Sequence, residues 1–253
     1  HTQNIFKRQP WPFSAVERAV LDYACLANPL TEECVQVLRA KRFRGQIVLI
    51  PHCVDTQRFY PQPQAELRAS LGLTDFVVGF LGRLTEEKGI DDLTAAADLL
   101  WAAGLRFHLL VVGSGPLQPR LRAWAAQQRP GRVSLVEAVA HDAVPGYLNA
   151  MDVLVVPSRT TTGWKEQFGR VLIEALACAV PVVGSDSGNI PILLREVGGG
   201  VIFPERQPEA LADALKPLIE QPARARELGA TGRGGVLSSY AVTAVAERLY
   251  QAL

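Results

Sequence analysis

Residues 76–82 read Phe-Val-Val-Gly-Phe-Leu-Gly and run directly into the charged turn Arg83-Leu84-Thr85-Glu86-Glu87-Lys88-Gly89. A short, continuous, valine-rich run predicts a strand buried on both faces, because neither alternate set of side chains is polar. The same pattern recurs at FHLLVV (107–112), VSLVE (133–137), VLVVP (153–157) and VPVVGS (180–185). Helix-length segments lie between, such as GIDDLTAAADLLWAAG (89–104) and LQPRLRAWAAQQ (117–128). Strand alternating with helix builds βαβ units, so the expected fold is α/β, a parallel sheet with right-handed crossovers and helices on both faces. Helices are expected to close the chain at 208–221, 222–233 and 243–253.

Polar or glycine-rich segments follow each predicted strand: GRLTEEKG (82–89), GSGP (113–116), EAVAHD (137–142), SRTTTGWKEQFG (158–169) and SDSGN (185–189). In an open parallel sheet the carboxyl ends of the strands share one rim, and ligands bind in the crevice outside it. Upstream, residues 1–46 read as mostly helical, with Ser14 and Thr31 as expected N-caps and Glu17 at the capping-box position. An apolar run at 47–50 then leads into a proline-punctuated linker through Pro63.

Composition narrows the function classes. Of 253 residues, 48% are hydrophobic and 20% charged, with a net charge of +1, as in ordinary globular domains. Without a basic stripe interleaved with aromatics, a nucleic-acid partner is not expected. No run is apolar enough to span a bilayer, and no signal-peptide pattern opens the chain. Cys25, Cys34, Cys53 and Cys178 form no C-x-x-C pair, which favours free thiols and a cytoplasmic setting. The sole methionine is Met151 and the first residue is His1, so the expectation is a piece of a longer protein.

On the rim, Arg83 and Lys88 between Gly82 and Gly89 suit a diphosphate, although Glu86 and Glu87 offset their charge and also allow a plain solvated turn. Glu166-Gln167-Phe168-Gly169 is expected to open a helix whose first N–H groups face the rim and offer an anion site. Glu174 falls among Val171, Leu172, Ile173, Ala175 and Leu176, so it requires a partner. That partner is either Arg170 four residues back or the hydroxyls of a ligand, such as a ribose diol, and the ligand is preferred. Gly113-x-Gly115 with Glu137 at the end of the next strand offers a rival dinucleotide reading, weakened by Gln118 at the third glycine position; a tight turn that lets the chain pass beside a ligand is preferred. His108 reads as a satisfied core histidine, and His52 and His141 as turn residues. Neither a nucleophilic triad nor a metal-ligand cluster is evident.

Taken together, IPHCVDTQRF, GFLGRLTEEKG, LLVVGSGP, EQFGRVLIE with its E-x7-E spacing, and ALACAVPVVGSDSGNIP resemble the retaining glycosyltransferases of family four, the group 1 enzymes with two Rossmann-like domains (the GT-B fold). The resemblance runs from about Ile50 to Pro191 and implies that residues 51–253 are the donor-binding domain, with residues 1–50 the remnant of an N-terminal acceptor domain and its linker. It further implies that Arg83 and Lys88 hold the donor diphosphate, Glu166 meets the sugar and Glu174 the ribose. Backbone at Phe168 and Gly169, with Arg170 beside them, would contact sugar and phosphate, while Gly82 lies under the diphosphate and Glu137 to Val139 border the base. The implied partners are a nucleotide-sugar donor, a glycan or lipid-linked hydroxyl acceptor and the rest of the N-terminal domain, with no metal or cofactor. The implied place is the cytoplasm, free or at a membrane surface. The last helix would pack against the acceptor domain, leaving apolar surface bare without it. Cys53 and Ala179 stand where the family usually has glycine, and Ile192 where it often has glutamate. Two other readings remain, an NAD-dependent oxidoreductase and a non-catalytic nucleotide-binding module of a split enzyme.

Overall fold

The computed structural model describes residues 9–252; residues 1–8 of the expected domain remnant and Leu253 of the expected last helix lie outside them. Six strands form one sheet: β3 (Val77–Leu81), β4 (His108–Val112), β5 (Val133–Val136), β6 (Val153–Val156), β7 (Val182–Ser185) and β8 (Gly200–Phe203). Their order is β5-β4-β3-β6-β7-β8 and every pairing is parallel. The chain therefore winds outward first in one direction and then in the other, with its switch point between β3 and β6. That is the Rossmann-like arrangement, with its crevice above the switch point.

The continuous apolar strands make sense because alternate residues feed separate cores. Val77, Leu110, Leu154 and Val182 pack with α6 (Val144–Asn149), α7 (Arg170–Ala177), α8 (Ile190–Val197) and α10 (Pro222–Ser239). Val78, Leu109, Val111, Val153 and Val155 pack on the other face with α4 (Ile90–Ala102) and α9 (Pro208–Glu220). Helix α5 (Gln118–Ala125) lies beside α4, where Trp101 and Trp124 stack at 5.9 Å. Strand β8 is the element that the apolar runs did not reveal. Three glycines, Gly198 to Gly200, interrupt the pattern, and as an edge strand it is only half-buried.

Ahead of the sheet come α1 (Phe13–Tyr23), β1 (Leu26–Ala27), α2 (Glu32–Ala40), β2 (Gln46–Ile47) and α3 (Ala65–Ser70), with β1 and β2 forming a parallel pair of their own. Thr31 caps α2 as expected, its Oγ1 accepting from the Cys34 N–H at 3.4 Å. Ser14 does not cap α1, because the helix already begins at Phe13 behind Pro12 and Ser14 falls within its first turn. Glu17 is likewise free of capping and pairs with Lys41 at 2.5 Å. Helix α1 buries none of its residues, and Trp11, Phe13, Val16, Val20 and Tyr23 are exposed. Val242, Leu249 and Tyr250 of α11 (Val242–Ala252) are exposed too. All four cysteines are free thiols. Among the described residues no helix is long and apolar enough to cross a membrane. Ala179 has φ +58°, a conformation that suits glycine, whereas Cys53 is not among the non-glycine residues with positive φ.

Candidate functional site

The loops after β3 and β6 meet at the switch point. Gly89 turns into α4 at φ +68°, and a Cβ there would overlap the carbonyl oxygen of Pro157. Glycine is required for that approach. Next to it the Arg159 N–H donates to the Glu87 carbonyl at 2.8 Å. Lys88, between these contacts, points its ammonium at Glu166 with Nζ–Oε2 of 2.6 Å. Ser158 Oγ donates to the same carboxylate oxygen at 3.1 Å, and the Trp164 ring covers the ammonium at 4.8 Å. Glu166 is buried, so its charge is carried by one cation and one hydroxyl at close range. The loop after β7 fixes its backbone: the Asn189 N–H donates to the Glu166 carbonyl at 2.9 Å, and Gly188 lies directly against that peptide.

Helix α7 begins at Arg170 rather than at Glu166, with Gly169 as its left-handed N-cap. Glu166 therefore sits in the strap leading to the helix, whose first turn is closed by the Leu172 N–H donating to the Gly169 carbonyl at 2.8 Å. Phe168 is buried, edge-on to His52 at 5.0 Å and to Tyr240 at 5.8 Å. Glu174 lies in the second turn, buried, with the Arg170 guanidinium 3.5 Å away. Burial pushes its carboxyl above the usual range, and the positive fields of Arg170, His141 and Arg58 pull it back by less. Burial, with Arg170 as a lesser cause, also lowers His52.

The other half of the rim is built differently. Gly113 and Gly115 are pressed against the carbonyl oxygens of Gly82 and Leu84, so those glycines serve loop-on-loop packing. The dinucleotide reading of the same glycines has no support from this geometry. The Glu137 carboxylate is exposed and accepts from Arg122 at 3.0 Å and Gln118 at 3.3 Å, while Val139 is half-buried against the core. Arg83 projects from the rim, mostly exposed, 3.7 Å from Glu87. His108 is the core histidine expected, 3.0 Å from Ser134 Oγ and lowered first by burial.

The family model described as "Glycosyl transferases group 1" matches residues 63–234, which contain all six strands of the sheet and both loops of the Lys88–Glu166 pair. The chain belongs to this family. A GDP-mannose-dependent monoacylated alpha-(1-6)-phosphatidylinositol monomannoside mannosyltransferase from Corynebacterium glutamicum is 32% identical over 79% of this chain and 54% of its own length. A 2-deoxystreptamine N-acetyl-D-glucosaminyltransferase from Streptomyces fradiae is 32% identical over 93% of this chain and 57% of its own. Among solved structures, sucrose-phosphate synthase from Thermosynechococcus elongatus superposes with a TM-score of 0.75 at 31% identity, over 94% of this chain and 59% of that one. This chain thus spans little more than half the length of each.

Within this group 1 glycosyl transferase chain, the structure adds residues that the sequence reading passed over. Ser158 and Trp164 complete the surroundings of Lys88 and Glu166. Asp92, buried in the first turn of α4, receives the Arg159 guanidinium through two bonds of 2.7 and 2.5 Å. A signal existed: a second acidic residue set between Ile90 and Leu93 on an apolar helix needs a partner. A void of about 40 Å³, lined by Glu33, Cys34, Glu166 and Asn189 among others, separates α2 from the strap, and Glu33 pairs with Lys165 beside it.

Proposed function

We propose that this chain is the donor-binding part of a retaining glycosyltransferase that moves a sugar from a nucleoside-diphosphate sugar to an acceptor hydroxyl. The observation that carries the reading is the Lys88–Glu166 pair at the sheet's switch point, buttressed by Ser158 and shaded by Trp164. A fixed cation there meets the negative charge that develops on the departing diphosphate, and a preorganised charge costs no rearrangement at that moment. Glu166, already an acceptor for two donors, exchanges part of that bonding for the sugar hydroxyls. Arg83, unburdened except for a distant Glu87, swings over the same diphosphate from the exposed side.

Glu174 takes the ribose hydroxyls at the second turn of α7, and its raised affinity for a proton is relieved when a diol donates to it. The N–H groups beginning at Gly169, with Phe168 and Arg170, face the phosphates. Gly82 underlies the diphosphate, and Glu137 and Val139 border the base. The reading calls on no metal or cofactor, since Arg83 and Lys88 are assigned the charge neutralisation. Residues 1–50 are assigned to an acceptor-binding domain, for which the exposed apolar side chains of α1 and α11 are the contact surface. The acceptor is a glycan or lipid-linked hydroxyl, and the site of action is cytoplasmic.

The test is thermal unfolding of the chain with GDP, UDP, ADP and NAD in parallel. A ligand at about 100 times its dissociation constant stabilises by about 2.7 kcal/mol, a shift easily seen. One nucleoside diphosphate should raise the melting temperature and NAD should not. A shift with NAD alone, or with none of the four, would sink the reading.

A further inference from the structure

Arg159 and Asp92 lie outside the roles assigned above, yet their contacts lead straight to the residues that hold Glu166. We infer that the Arg159–Asp92 pair, with Asp92 buried and Arg159 half-buried, is a positioning element that fixes Lys88 and Ser158 around Glu166 and so sets the affinity of the diphosphate site. This rests on the reading under Proposed function.

The argument starts from chain position. Lys88 is one residue before Gly89, whose backbone abuts Pro157, and Ser158 is the next residue after Pro157. Arg159 follows Ser158 and ties back across the same seam twice, through its N–H to the Glu87 carbonyl at 2.8 Å and through its guanidinium to Asp92 on the first turn of α4. Two donors to a single carboxylate, in the fork geometry of arginine, fix direction as well as distance. The two residues that reach Glu166 Oε2 are therefore flanked by the Gly89–Pro157 backbone contact on one side and by the Arg159 bonds on the other. On its far side Arg159 is backed by Thr160, whose N–H donates to Glu205 and whose carbonyl accepts from Arg206 at 2.8 Å. The strap's base is thus anchored to the β8 side and, through Arg159 alone of these residues, to the Lys88 side.

Stability is a poor reason for such a pair. A largely enclosed ion pair returns little net free energy over an apolar pair of the same shape, whereas its fork does specify one arrangement. An effect that passes through Lys88 has a distinct signature: it vanishes when Lys88 is gone.

The experiment is a double-mutant cycle on the 253-residue chain, with GDP, UDP and ADP as probes and ligand-observed NMR reading millimolar dissociation constants. Arg159→Lys keeps the charge and loses the fork; Asp92→Asn keeps the shape and loses the charge, and serves if the first variant does not fold. Either should weaken the responding nucleotide about 5- to 10-fold with Lys88 present and less than about 2-fold in the Lys88→Ala background. Equal losses in both backgrounds, or unchanged affinity in folded variants, would overturn the positioning role while leaving the donor site standing. Failure of the unsubstituted chain to bind any of the three nucleotides would instead remove the donor-site reading and this inference with it.

Discussion

On the β6 side of the switch point, Glu166 and Glu174 keep only 11% and 10% of their side chains exposed, whereas Glu137 at the end of β5 leaves 74% in water. Glu166 is held by Lys88 and Ser158 from neighbouring loops and Glu174 by Arg170 one turn back on its own helix, whereas Glu137 is held at the surface by Arg122 and Gln118. Withdrawing a carboxylate from water costs free energy unless it is matched closely. Among these three the fold bears that cost where Lys88 and Ser158 meet Glu166 and where Arg170 reaches Glu174. A site that must act on charge needs such fixed groups, while a border for a planar base can be made from half-buried and solvated ones.

Backbone packing gives the largest expected difference between the halves. Gly188 on the β7 loop has φ +57° and lies against the Glu166 peptide, while Gly131, just before β5, has φ +80° with open space around it. Gly188→Ala should cost about 3 kcal/mol, combining backbone strain with overpacking, and Gly131→Ala about 1 kcal/mol from strain alone. Chemical denaturation of both variants checks this; equal losses would mean the two halves are equally tolerant. Next in size, Lys88→Ala should weaken the responding nucleoside diphosphate about 10- to 100-fold, the scale of a charge-assisted contact. Calorimetric titration measures it.

The third effect concerns pH. Glu174 binds its proton more tightly folded than unfolded, so between the ordinary carboxylate pKa and its raised folded value stability falls as pH rises. Above that window the full penalty of the buried charge is present. Glu174→Gln should therefore stabilise the nucleotide-free chain at pH 7, an advantage that fades as pH falls through the ordinary carboxylate range, while weakening nucleotide binding. Melting curves across pH decide; a variant less stable at pH 7 would show that the Arg170 pair outweighs burial. The smallest effect is Glu137→Ala, with less than about a threefold change in affinity, as for a solvated ion pair.

Much of this was readable in the residues, for physical reasons that differ by element. Strands β3 to β7 announced themselves because burial on both faces leaves unbroken apolar runs, and the five loops followed from parallel connectivity. Strand β8 did not, since its glycines and half-exposed edge dilute the same signal. Lys88 and Arg83 looked equivalent in sequence, yet one is enclosed with Glu166 and the other projects into solvent with 69% of its side chain exposed. Only the fold brings residues 88, 158 and 166 together, and the Arg159–Asp92 tie spans 67 positions that no local pattern connects. The glycines of GSGP carry a nucleotide-like spacing that Gln118 already weakened in sequence, and the fold packs them against Gly82 and Leu84.

The most direct test of the central claim is hydrogen exchange of the chain with and without the nucleoside diphosphate that stabilises it. The account predicts that bound nucleotide slows exchange in residues 82–89 and 166–172, around Lys88 and the start of α7. Clear binding with protection confined to residues 113–118 and no change around Lys88 or Glu166 would contradict it, and move the site to the other half of the rim.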